Sequence, residues 1–197
     1  MKIVLEHLPA ASGDETAGRR ETILTGRQTL ALARILNAVI PEMRRIAHPE
    51  IQYLAACFQD YLRTDADLHE RNFTAFYEKL MAAGPGDPTP PTAQDGDWTD
   101  DEAPPLRDAC AVDADVRVFL GRLLLSGEII TPALARQLAP VLGLLCGLLS
   151  QYETQARREQ PALVRPLRFA YRTISTIAVA CDGALERSGY LRLSVES

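Results

Sequence analysis

Lysine is nearly missing from this chain: Lys2 and Lys79 are the only two among its 21 basic residues. Arginine carries the remaining positive charge, a bias that high-GC codon usage produces without any selection for bidentate phosphate or carboxylate binding. Cysteine is sparse, with Cys57, Cys110, Cys146 and Cys181 far apart and never in CxxC spacing. That spacing excludes a CxxC zinc or redox motif and suits a reducing cytoplasm better than a disulfide scaffold. The three histidines, His7, His48 and His69, are isolated from each other and from the cysteines, so no metal is expected. Glu-x-x-His, P-loop, GxGxxG and GxSxG patterns are all lacking, and no cofactor is expected. Long apolar runs are lacking too. The longest mostly apolar uncharged stretch covers the twelve residues 138–149, well short of the roughly 20 that a membrane-spanning helix needs. Near the N-terminus a short apolar run meets Glu6 and His7 without the h-region of a signal peptide, which leads us to expect a cytoplasmic protein and no membrane.

What is present suits a folded chain. Of 197 residues, 47% are hydrophobic and 24% charged, an ordinary globular balance. The net charge of -5 is concentrated: residues 85–104 hold six acids and no base, leaving the rest close to neutral. That segment contains six of the thirteen prolines within 85–105 and the single tryptophan, Trp98. It reads as an acidic linker or long loop over 85–108, between an N-terminal unit (1–84) and a C-terminal unit (109–197) that could pack together as one domain.

Helical periodicity dominates both units. Thr25 and Gln28 have capping-box spacing before a helix with Leu32, Ile35, Leu36 and Val39, which Pro41 is expected to stop. Pro41 and Pro49 are each expected in the first turn of a following helix. Asp65 is expected to cap a helix with Phe73, Phe76 and Leu80 on its buried stripe, ending at Gly84. Further helices are read before Gly127, from Thr131 to Arg158, and from Pro161 or Pro166 to Gly189. "KIVLEHL" and "YLRLSVES" read as terminal strands that could pair. The expected fold is therefore mainly α, a bundle of about six to seven helices with a small two-stranded pairing of the chain ends.

Three features bear on function. Ala135, Ala139, Gly143 and Gly147 recur every fourth residue in the most apolar part of the chain, a ridge where a neighbouring helix can approach closely. Because leucines flank it, this helix is expected to be covered on all sides, and the ridge to serve as core packing ahead of an oligomer interface. Arg157, Arg158, Arg165, Arg168 and Arg172 form the most basic window, a row that could track a nucleic-acid backbone or meet an acidic partner. Arg63 and His69, in "RTDADLH", have an R-x5-H spacing that resembles the short Arg/His motif of HEPN-type ribonucleases, themselves helical bundles. That resemblance rests on the two residues alone and implies RNA cleavage at a dimer interface, with the pair positioning and protonating RNA oxygens. The leading expectation is a non-catalytic helical subunit or adaptor of a larger assembly, binding a protein partner or a second copy through helix faces. A nucleic-acid-binding subunit and a HEPN-like ribonuclease are the alternatives.

Overall fold

Thr25 accepts a hydrogen bond from the Gln28 backbone while the Gln28 side chain accepts from Thr25 N–H, closing the capping box that starts the first helix. The computed structural model describes residues 1–8, 18–83 and 112–197. The acidic segment, Gly84, Trp98 and Cys110 lie outside the described residues. The elements run β1 (Lys2–Leu8), β2 (Arg20–Thr25), α1 (Gly26–Met43), α2 (Pro49–Arg63), α3 (Ala66–Ala82), α4 (Ala114–Leu125), β3 (Ile129–Ile130), α5 (Pro132–Glu159), α6 (Val164–Arg187) and β4 (Tyr190–Glu196). A single 3-10 turn, Pro161–Leu163, joins α5 to α6. The fold is mainly α, with a small antiparallel sheet in the order β2-β1-β4-β3.

The chain ends do pair: β1 and β4 run antiparallel from Lys2↔Glu196 to Leu8↔Tyr190. The sheet has two strands more than expected, because β2 joins the free edge of β1 and β3 joins β4. Register between β1 and β2 shifts after Ile3, leaving Ile23 as the extra residue of a bulge. One face of the sheet turns Ile3, Leu5, Leu24, Leu191 and Leu193 into the core. On the other, Glu6 lies 4.0 Å from Arg20 and 3.4 Å from Arg192, and Arg20 also pairs with Glu196. Alternation of this kind is what fixes strand register.

Residues from both sides of the acidic segment enter one apolar cluster, including Leu36, Phe58 and Phe73 from one side and Phe119, Leu142 and Ile174 from the other. α4 is buried along almost its whole length, from Val116 to Leu124. Its Phe119 ring packs edge-on to Phe58 at 5.2 Å and to Tyr61 at 6.5 Å. Where α3 crosses α4, there is no room for a side chain: a Cβ on Gly121 would sit 1.9 Å from the His69 carbonyl oxygen.

Pro41 and Asp65 behave differently from expectation. Pro41 does not stop α1, which continues to Met43, because a proline in the last turn forfeits only a terminal bond and leaves the preceding turns intact. It therefore does not open α2, whereas Pro49 does occupy the first turn of that helix. Asp65 sits at the start of α3, but in the left-handed region (φ 52) and without a side-chain cap; its carbonyl instead accepts from Leu68 and His69. α5 runs unbroken through Pro140.

Gly121→Ala is expected to lower stability by about 3 kcal/mol or more, since backbone rather than a movable side chain occupies the space. Gly143→Ala, whose Cβ would meet nothing within 4 Å, should instead raise stability by about 0.5–1 kcal/mol through helix propensity. Urea unfolding midpoints at constant m-value distinguish the two signs.

Candidate functional site

The small-residue ridge of α5 is divided between core and surface. Ala135 is buried and Ala139 half-buried, but Gly143 and Gly147 are exposed, and no described residue lies within 4 Å of a Cβ built on either. The expectation of a helix covered on every side fails here. α5 buries Leu138, Leu142, Leu145 and Leu149 against the core, chiefly toward α6, while Arg136, Pro140, Gly143, Gly147 and Ser150 face outward. By length and composition alone this is the one helix among the described residues apolar enough to cross a membrane: its best 18-residue window has mean hydropathy 1.5 and is 39% buried.

The arginine row is partly neutralised within the chain. Arg157 and Arg168 both donate to one oxygen of Glu153, at 2.7 and 2.9 Å, so α5 and α6 share a single carboxylate. Those hydrogen bonds, led by that of Arg157, hold the Glu153 carboxyl below its ordinary range despite its burial. Arg158, Arg165 and Arg172 are exposed; Arg172 lines a cavity of about 320 Å³ between α6 and β2. Of the five, Arg157 and Arg168 join a salt-bridge cluster at Glu153 and Arg172 lines a groove.

Arg63 and His69 have opposite environments. Arg63, the last residue of α2, is exposed and pairs with Asp60 at 3.1 Å. His69, in the first turn of α3, is 5% exposed, and its Nδ1 has no hydrogen-bond partner. Burial, and then the nearby Arg122 guanidinium, push the His69 pKa below its ordinary value; Glu128 and Asp65 act weakly the other way.

Arg122 was not marked by the sequence, where it is one arginine inside the apolar run "VFLGRLLL". The structure buries it at 8% exposure. Its guanidinium carbon lies 4.1 Å over the Tyr61 ring, and it donates to the Tyr61 carbonyl. Its Nε has no partner. Among the described residues no carboxylate lies within ion-pair distance of it, although Arg117 on the same helix pairs with Glu70 at 2.6 Å. Arg122 forms part of the wall of a cavity of about 450 Å³ between α2, α4 and α5, together with Tyr53, Leu54, Arg136 and Pro140. A second cavity, of about 580 Å³, separates the β1–β2 face from α6; its charges are of both signs, Arg19 and Arg187 against Glu21, Asp182 and Glu186.

Among the described residues no group of three or more His, Cys, Asp or Glu could hold a metal ion. Cys57 and Cys146 are half-buried free thiols, and burial pushes the Cys181 thiol up to about 12. No family model, curated protein or solved structure matches this chain.

His69 stays neutral in the folded chain at pH values where the unfolded chain protonates it. Because the unfolded state then binds more protons, stability should fall as pH drops below about 6.5. His69→Gln should remove that part of the slope in unfolding free energy between pH 7 and 5. Parallel profiles for the two proteins would refute the assignment.

Proposed function

We propose that this protein is a non-catalytic helical subunit or adaptor that binds a protein partner through the outward face of α5. One observation carries the reading: the helix that holds the most apolar 18-residue window among the described residues leaves Gly143 and Gly147 exposed, with no described residue within 4 Å of a Cβ at either. An exposed glycine in a helix costs about 1 kcal/mol relative to alanine. At two positions one turn apart, that cost is offset when a partner backbone approaches more closely than a Cβ would permit. Pro140 and Ser150 extend the same low-relief strip.

The alternatives have weaker support. A row tracking nucleic acid needs its charges free, and two of the five arginines are already committed to Glu153. A ribonuclease pair needs both side chains to reach one phosphate, whereas Arg63 is exposed and His69 buried.

Gly143→Leu and Gly147→Leu test the reading directly. Both should fold normally, with unchanged circular dichroism, because the added side chains enter open space. Self-association measured by light scattering, or capture of the native partner, should fall by about tenfold or more. Association unchanged in both folded variants would count decisively against the α5 face.

A further inference from the structure

We propose that the cavity between α2, α4 and the start of α5 binds a small organic acid, with Arg122 receiving its carboxylate. Arg122 is a buried cation. A guanidinium cannot shed its charge near neutral pH, and burying it without a counter-ion is costly. Arg122 is 8% exposed, yet its partners are a backbone carbonyl and an aromatic face, which are neutral groups. Its Nε has no acceptor among the described residues.

Each element packed around it supplies a group that bears on the charge, and none is a bound carboxylate. α2 contributes the Tyr61 ring, and burial there keeps the phenol protonated by raising its pKa. α3 contributes His69, held neutral. The α4–β3 turn contributes Glu128, which is exposed and outside ion-pair distance. Asp60 lines the cavity but pairs with Arg63. α5 brings a second cation, Arg136, to the opposite wall. Among the described residues no side-chain carboxylate pairs with Arg122, and the charge of Glu128 reaches the site only at longer range.

Shape and charge select the ligand class. The remaining guanidinium N–H groups form a planar fork that suits a carboxylate. Asp60 is already paired to Arg63, so the choice of an organic carboxylate over inorganic phosphate rests on the apolar part of the lining. Tyr53, Leu54 and Pro140 give the rest of the ligand an apolar surface, and a cavity of about 450 Å³ holds a small molecule rather than a polymer.

Benzoate, acetate, inorganic phosphate and the neutral isostere benzamide serve as probes in thermal-shift and calorimetric titrations of the full chain. Saturable binding of benzoate is expected, with benzamide and phosphate weaker by about tenfold or more. Arg122→Met should fold, because it removes a buried unpaired charge, and should lose benzoate binding by a similar factor. Arg136→Gln, at an exposed position, should weaken binding several-fold and keeps the test open if the Met variant fails to fold. Equal binding of benzoate and benzamide, preference for phosphate, or benzoate affinity unchanged in a folded Arg122→Met or in Arg136→Gln would each overturn the proposal.

Discussion

Where His69 crosses helix α4, the space that a side chain would fill is taken by backbone, and Gly121 is what makes the crossing fit. The arrangement of the N-terminal helices around α4 depends on that contact. It brings α3 against α4 closely enough for Phe73 and Phe76 to enter the core. It also sets the height at which α2 packs, since Phe58 and Tyr61 meet Phe119 from the neighbouring side. A helix buried nearly all round must have each neighbour at the right distance, because packed interiors do not deform continuously. The turn after Gly121 then places Arg122 inward, where a charge would otherwise be avoided.

Ion pairs between elements act at the rim of this arrangement and not at its centre. Arg44 after α1 pairs with Asp115 of α4, Arg117 of α4 with Glu70 of α3, and Arg168 of α6 with Glu153 of α5. All have at least one partly exposed partner, so each adds a fraction of a kcal/mol up to about 1. Their contribution is to helix registry. The outer face of the sheet repeats the pattern, with Glu6 between Arg20 and Arg192 on the flanking strands.

Much of this could be read from the residues, and the failures have physical causes. Capping at Thr25, the first-turn position of Pro49, Thr131 at the start of α5 and the β1–β4 pairing all follow from local chemistry or from a two-residue alternation. Strand β3 is two residues long and β2 begins inside a polar run, so neither has a periodic signal; their pairing partners decide them. Asp65 has a capping residue's composition, yet its left-handed backbone leaves the side chain without a cap hydrogen bond. The α5 ridge was legible as a spacing but not as a surface. Leucines on the flanks of a helix imply burial only if the fold supplies enough neighbours, and number of neighbours is a tertiary property.

The same distinction explains why Arg122 escapes sequence reasoning while Arg157 to Arg172 attract it. A run of arginines is conspicuous, but exposed guanidinium groups find carboxylates cheaply, as Arg157 and Arg168 do at Glu153. A lone arginine among leucines carries no pattern. Once the helix is packed, however, its charge cannot leave and its hydrogen-bonding capacity is only partly met among the described residues. The chemically demanding position is the one at which the fold has withheld a partner, and in this chain that condition is met at the Tyr61–Arg122 contact rather than along the basic row.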